Sequence, residues 1–574
     1  MNNAKLIIFT SIILFFTLLE KSTAQSGTSI ERYGILISEI MADPTPAVWL
    51  PEAEYLELHN RTGKSQELTG WKLHIGSTEK ALPTFTIDSG GYAVIIAQKY
   101  LNDFNSLCGN LIPLSSLSLT DGGQTLTLLD NHGNVIDRVA YKPTWHSEVI
   151  KRDGGWSLEL KDATLPCLGR ANWDSSTDPA GGTPGRENAI HCRLEDTQAP
   201  ILERVTLIDS QMLRLWFSEP LWFDDTPLPA LFTIDPRIDI VSVREVPPNF
   251  NAIDVSLARV PNLGTHYTVT IDGLIPDCAG NATVTGSFQR FGRAQPPLPQ
   301  DLVINEVLSH PFDGKDADFI EIYNRSNKII DLKDVKIGSG GSTLPEKAVT
   351  TASGGMQLFP NAHCAICKDK ALTLEQYYCP DPLNLIQCDS LPAYANTQGV
   401  VWLTNRSLER IDRLAYDEEM HYSSLSSPEG VSLERLRTDA PTQDPANWHS
   451  AASSVGYATP GYQNSQAENS MPLDSISIQP PIFSPNNDGF DDYTEIFLTF
   501  TDHDNRLTIT ICNERGHPVC HLVNNELCGM SARYRWDGLD DARNKLPRGQ
   551  YLAIISWWNG NGKTHTYRKV VGIW

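Results

Sequence analysis

Basic charge is scarce in this sequence: 46 Lys and Arg side chains stand against 69 Asp and Glu, a net charge of −23. No cluster of Lys and Arg offsets that deficit locally, so nucleic acid is not an expected partner. Helical periodicity is nearly absent, the one fair candidate being "LTLEQYY" at Leu372–Tyr378. Catalytic signatures are missing too. The chain has no G-x-S-x-G elbow, no H-E-x-x-H pair and no phosphate-binding G-x-x-x-x-G-K-[ST] loop, and an enzyme is not expected. Long apolar runs are confined to the N-terminus, where Lys5 precedes "LIIFTSIILFFTLL" (Leu6–Leu19) and Ser22 and Ala24 follow. This is the order of a secretory signal peptide, residues 1–24, with cleavage expected after Ala24. The run is shorter than the roughly 20 apolar residues of a bilayer span, so the mature chain is expected to lack a transmembrane segment.

What is present points to an exported protein rich in strands. Forty glycines and 37 prolines are spread along the 574 residues, as in a chain of short strands joined by many turns. At ~150 residues each, that length suggests about four domains. Eleven cysteines in an exported chain predict some disulfides and at least one unpaired thiol. "HCAIC" (Cys364, Cys367), with Cys379 and Cys388 downstream, invites a zinc reading. The segment reads as a strand, however, and residues three apart on a strand face opposite ways, which favours disulfides or buried thiols.

The chain also repeats itself. "ILISEIMADP" (Ile35–Pro44) returns as "LVINEVLSHP" (Leu302–Pro311), and "EYLELHNRT" (Glu54–Thr62) as "DFIEIYNRS" (Asp318–Ser326). "VIDRVAY" (Val135–Tyr141) returns as "RIDRLAY" (Arg410–Tyr416) and "GWSLEL" as "GVSLER". Then "ANWDSSTDPAGGTPGREN" returns as "ANWHSAASSVGYATPGYQN". One order kept throughout means a duplicated domain. "YLELHN" and "FIEIYN" alternate as half-buried strands do, and "QTLTLLDNHGNVIDRVAY" reads as a hairpin.

In combination these phrases resemble the lamin-tail domain, an immunoglobulin-like β-sandwich, in two copies at 34–192 and 300–464. The second copy departs by having Val335 where the first has Trp71. Between them, "APILERVTLIDSQMLRLWFSEPL" through "DCAGNAT" resembles a bacterial immunoglobulin-like domain, 196–293, joined onward by the stiff linker "RAQPPLPQ". The last segment, 474–574, runs from "FSPNNDG" through "WDGLDD" to "LPRGQY". It resembles the gliding-motility-associated C-terminal domain and its flagellar-hook-cap relatives, which implies a sorting signal of the type IX secretion system. The end on Trp574, where such domains more often finish on a basic residue, departs from that pattern. The expected fold class is all-β, tandem immunoglobulin-like β-sandwich domains.

Candidate site residues are few. In "FSPNNDGFDD", Ser484, Asn486, Asp488 and Asp492 fall in register with an Asp-rich calcium loop, Gly489 allowing the sharp turn. A polar turn capping its own backbone is the alternative. Glu39, Glu57, Glu306 and Glu321 recur within the framework phrases beside Arg61, Arg138, Arg325 and Arg413. Structural ion pairs or strand-edge hydrogen bonds explain them better than acid–base chemistry does, and Asp137 and Asp412 read the same way. His59 has Tyr323 as its counterpart, which weighs against a catalytic histidine. Of Trp557 and Trp558, one must face away from the core. The expected function is a non-enzymatic modular protein of the bacterial cell surface or envelope, binding a protein or glycan or serving as scaffold. The alternatives are a type IX cargo adhesin with a removable C-terminal domain and an accessory part of a secreted hydrolase.

Overall fold

The computed structural model describes residues 31–223, 227–312, 317–388, 390–423, 425–468, 474–559 and 562–574; the expected signal peptide lies outside them. Strands dominate, and the chain divides into two compact units, residues 1–197 with 247–249 and residues 198–246 with 250–574. Among the described residues no helix is long and apolar enough to cross a membrane.

The first unit is built on two large sheets, with a two-stranded one (Gln66–Glu67 and Thr86–Ile87) beside them. One has six strands in the order Trp173–Ser175, Leu158–Leu160, Ile35–Met41, Tyr55–Asn60, Tyr92–Ala97 and Leu111–Leu114, the last two parallel. The other orders Val135–Tyr141, Gln124–Leu129, Lys72–Ile75 and Thr78–Ala81. The expected hairpin is there: the Asp130 carboxylate accepts from the amides of His132 and Asn134, closing the turn between its strands.

Within the second unit the same arrangement returns. Its six-stranded sheet runs Trp448–Ser450, Leu433–Arg435, Leu302–Leu308, Phe319–Asn324, His363–Cys367 and Leu385–Gln387, again with a parallel last pair. Its four-stranded sheet runs Arg410–Asp417, Gln398–Asn405, Val335–Ser339 and Lys347–Thr350. Ile304, Ile320 and Ile322 of the first sheet meet Ile337, Leu403 and Leu414 of the second in one core. Val335 is buried there, and in the first unit so is Trp71. The other face of the six-stranded sheet is covered as well, Leu308, Phe319 and Ala365 packing under Tyr377. The expectation of half-buried strands therefore fails: Tyr55–Asn60 and Phe319–Asn324 are buried on both faces, only His59 and Tyr323 being partly exposed. Alternation shows which side chains share a face, not whether a loop closes over the polar one.

Cys364 and Cys388 enter one core while Cys367 and Cys379 belong to the other. All four are free thiols; of the disulfides or buried thiols that the sequence left open, thiols are what the structure has here. "LTLEQYY" does carry a helix, Lys370–Gln376, whose first turn is capped by Asp369 accepting from the Leu372 amide.

The remaining two sandwiches of the second unit each close on a core of their own. In the segment after residue 198, Leu202–Leu207, Met212–Phe217, Ala252–Leu257 and Ile240–Glu245 form one sheet. Phe232–Asp235, His266–Ile271 and Phe288–Gly292 form the other. The C-terminal segment pairs a three-stranded sheet (Ser475–Gln479, Thr494–Thr499, Ser531–Trp536) with a five-stranded one built on Asn505–Cys512, Gly549–Trp558 and Thr564–Ile573. Trp557 is buried and stacks on His565 at 5.1 Å, while Trp558 is 39% exposed.

The proline-rich stretch is not a free spacer. Gln295 and Gln300 donate their amides to the Ile329 and Ile411 carbonyls at 2.8 and 2.9 Å. The Gln357 side chain bridges the amide and carbonyl of Gly292. The Gln357 bridge ties the middle sandwich to the one after it, and Arg204 adds a bond to the Gly355 carbonyl at 2.7 Å.

One charge pair differs between the copies. Arg435 is buried, donating to the Ile304 carbonyl (2.7 Å), to Thr442 and to Asp412 (3.4 Å). Burial lowers its pKa to about 10 against the opposing pull of Asp412. Leu160 holds the corresponding place in the first copy. Arg435→Ala should destabilise the second unit by roughly 3–5 kcal/mol, because Asp412 is left buried without its partner. Arg435→Ala combined with Asp412→Asn should recover part of that loss in denaturant titrations.

Candidate functional site

Both copies organise their polar interior around a bulge. Pairing between Ile35–Met41 and Tyr55–Asn60 slips at Ser38, and that between Leu302–Leu308 and Phe319–Asn324 slips at Asn305. A bulge frees a main-chain amide from the ladder. The IDR aspartate takes it: Asp137 accepts from the Ile37 amide at 2.7 Å, and Asp412 from the Ile304 amide at 2.9 Å.

Beside the bulge lies a row of three glutamates on adjacent strands. Glu39 pairs across the sheet with Glu57 on one side and Glu159 on the other; Glu306 sits likewise between Glu321 and Glu434. All six are 0% exposed. Three carboxylates abreast in a dry interior repel one another, and only donors aimed at them make the row tolerable. Those donors come from the hydroxyls of the sheet and from the Thr-Pro-Gly loop laid across it. Glu39 accepts from Tyr55 and Ser157 hydroxyls at 2.6 Å each and from the Thr183 amide at 2.7 Å. The Thr183 hydroxyl reaches Glu159 at 2.9 Å, and the Gly185 amide reaches Glu57 at 2.7 Å. In the second copy Thr459 donates its amide to Glu306 (2.8 Å) and its hydroxyl to Glu434 (2.8 Å). The Gly461 amide reaches Glu321 at 2.6 Å. Gly185 is required at its place: its φ is +84°, and a Cβ would stand 2.3 Å from that of Cys108.

Burial, reinforced by Glu159, raises the Glu39 pKa to about 7; burial and Glu39 raise Glu57 well above its usual range. Glu306 is raised the same way by burial, Glu434 and Glu321. Asp137, pushed by burial, rises to about 7. Burial thus favours the protonated form of Glu39, Glu57, Glu306 and Asp137 over what each would show in water.

The arginines expected as ion-pair partners go elsewhere. Arg61 donates to the Ala163 carbonyl, Arg325 to the Thr438 carbonyl and Arg413 to the Gln443 side chain. Hydrogen bonds, not ion pairs, hold the glutamates, so of the two readings from sequence the second stands. Glu159 and Glu434 escaped notice, although "SLE" in both repeats carried them.

Solvent comes near the row in the second copy. An open cleft of about 600 Å³ is lined by Asn305, Tyr323, His363, Arg437, Asp439 and Glu468, among others. At its floor His363 Nδ1 lies 2.8 Å from Glu321, which also accepts from Asn305 at 2.8 Å. His59 and Tyr92 face each other across paired strands in the first copy, stacked at 4.4 Å; Tyr323 and His363 face each other in the second, their rings tilted at 4.8 Å. The histidine is thus not lost but exchanged with its cross-strand tyrosine, a relation hidden until the strands are paired.

The expected calcium loop is an exposed turn closed on itself. Asp492 accepts from the amides of Asn486 (3.2 Å), Asn487 (2.5 Å) and Gly489 (2.8 Å). Asp488 accepts from the Phe490 amide at 2.8 Å and from the Asn486 side chain at 2.8 Å. The Ser484 amide bonds the Asp491 carbonyl at 2.7 Å. Asn486, Asp488 and Asp492 thus share one turn, their oxygens engaged with its amides.

With this geometry in view, comparison with known proteins adds two matches. Residues 29–143 match the Lamin Tail Domain family, and residues 476–571 match the CHU_C Type IX secretion signal domain. The second match marks the chain as exported. No curated protein matches it. Among solved structures, the S-layer protein rSbsC(31-844) is 15% identical, with 66% of this chain and 54% of that chain covered and a TM-score of 0.16. The chain thus spans about half of that protein. The Escherichia coli alpha-2-macroglobulin fragment is 9% identical, with 65% of this chain and 97% of that chain covered and a TM-score of 0.15. PorZ, a bacterial surface component of the type-IX secretion system of Porphyromonas gingivalis, is 11% identical, with 92% and 82% covered and a TM-score of 0.15. Likenesses of that size carry no argument about this chain.

The raised carboxyls make a prediction with a definite sign. A folded-state pKa above the unfolded one gives stability that is full at low pH and is lost as pH rises towards the folded value. For Asp137 the window runs from 3.8 to about 7. Across it one such group removes up to about 4 kcal/mol, at 1.4 kcal/mol per pH unit. Hydrogen exchange in peptides covering residues 35–60 should accelerate from pH 4 to 7 beyond the intrinsic rate. Asp137→Asn and Glu39→Gln should each flatten that trend.

Proposed function

We propose that this is a non-enzymatic, exported, modular protein of the bacterial cell surface or envelope, which binds a protein or glycan partner or serves as scaffold. In this reading its C-terminal sandwich is a type IX sorting domain and residues 300–464 are a second lamin-tail domain. The match of residues 476–571 to a type IX secretion signal domain carries the export half of the proposal. Recurrence of strand order, bulge, glutamate row and Thr-Pro-Gly loop supports the second lamin-tail domain. The glutamates that could have served as paired acid and base are sealed from solvent and committed to holding a loop, which favours a structural role over catalysis. Docked sandwiches with polar surfaces suit spacing and repeated contact.

Intact mass of the mature protein from its native host, fraction by fraction, tests the sorting role. A surface-associated form should end upstream of Ser475; a surface form still ending at Trp574 would make the C-terminal sandwich a working part and overturn its reading as a removed signal. Calcium at Ser484, Asn486, Asp488 and Asp492 remains part of the proposal, supported by three oxygen-bearing side chains on one exposed turn. Calorimetric titration of the full chain should show a calcium-binding event that Asp488→Asn weakens at least about tenfold; no calcium heat at all would remove this element.

A further inference from the structure

The C-terminal sandwich docks directly on the sandwich before it. The Ser453 hydroxyl donates to the Leu527 carbonyl at 2.8 Å, and the Met530 amide donates to the Ser465 carbonyl at 2.7 Å. At this seam three side chains converge: His449 from the strand Trp448–Ser450, and His503 and Asp504 from the turn leading into Asn505–Cys512. One ligand atom from each lies within 4.8 Å of the other two.

The protonation of His449 is constrained from its far side. Its Nδ1 lies 2.8 Å from the Ser450 carbonyl, which can only accept, so Nδ1 carries a proton. In a neutral ring Nε2 then presents a lone pair, and it faces the Asp504 carboxylate at 2.7 Å. Two acceptors cannot rest against each other in a buried place: His449 is 7% exposed. Something positive belongs between them, either a second proton on the ring or a cation. The state of His503 Nδ1 favours the cation. It is buried and has no hydrogen-bond partner among the described residues, and its ring stands 5.7 Å from that of His449. A second proton on His449 does nothing for that nitrogen. A cation held by both imidazoles and the carboxylate would satisfy all three groups.

We propose that His449, His503 and Asp504 form a site for a zinc-class divalent cation that locks the C-terminal sandwich to its neighbour. Two imidazoles and one carboxylate with an open fourth position suit zinc and its first-row neighbours rather than calcium. Ligands at about 2 Å in a tetrahedral shell lie roughly 3.3 Å apart, so metal entry opens the His449–Asp504 contact by about 0.6 Å. The first copy supplies a contrast. Its counterpart to His449 is Asp174, which accepts from the Ser147 amide and pairs with Lys161 at 3.7 Å, both within its own sandwich. Imidazole appears at this strand position in the copy that abuts the C-terminal domain. The inference concerns the docked chain and is independent of whether that domain is later removed.

The test uses the full mature chain, stripped with chelator and titrated with Co²⁺ and then Zn²⁺. Cobalt should give visible d–d absorption without a sulfur charge-transfer band, since the free thiols elsewhere are not ligands here. Zinc should displace it and slow hydrogen exchange in peptides spanning 446–468 and 500–512. His503→Ala and Asp504→Asn should each weaken binding by well over about 100-fold, above the roughly 10–100-fold that loss of a supporting contact alone costs. Asparagine tolerates the left-handed backbone at residue 504 (φ 73°), so that variant is expected to fold. Binding unchanged in both variants, or a sulfur band, would place the metal on cysteine and overturn the proposal. No binding at all would leave the seam a His449–Asp504 hydrogen bond only and would equally overturn it.

Discussion

The glutamate rows inside the two repeated sandwiches depend on how a buried carboxyl group is satisfied by hydroxyls and main-chain amides. Glu39 and Glu306 each lie between two further glutamates on neighbouring strands. Their lone pairs are met by hydroxyls and main-chain amides, several from the Thr-Pro-Gly loop. That loop would otherwise be an exposed connection with unspent amides. Laid over the row it becomes a lid, and the sheet beneath is buried on both faces.

The bulge makes this geometry available. One extra residue, Ser38 or Asn305, turns a polar side chain towards the adjacent glutamate and frees an amide for the aspartate of the returning hairpin. A single irregularity thus links four distant segments of each copy. The copies then diverge where energetics allow. The second adds Arg435 to its aspartate; in the first, burial raises the Asp137 pKa against the weaker opposing pull of Arg61.

Docking in the second unit follows the same economy of main-chain groups. Gln357 grips both polar atoms of Gly292, the proline-rich stretch donates to two carbonyls, and Ser465 and Ser453 reach the C-terminal sandwich. Segments whose composition reads as spacer are bonded along part of their length, because their amides find carbonyls of a neighbouring sandwich rather than water.

Much of this was legible in the chain itself. The duplication, the all-β class, the hairpin at Asp130, the capped helix at Lys370–Gln376 and the opposed faces of Cys364 and Cys367 follow from local periodicity and repeated phrases. Local pattern reports which side chains share a face. It is silent on what covers that face, and so Glu57 and Glu321 read as solvent-facing when a loop more than 120 residues away seals them. The exchange of His59 for His363 across a strand pair, and the meeting of His449 with His503 and Asp504, depend on strand register and domain docking. Those long-range contacts are set by tertiary packing, which no short stretch of sequence encodes.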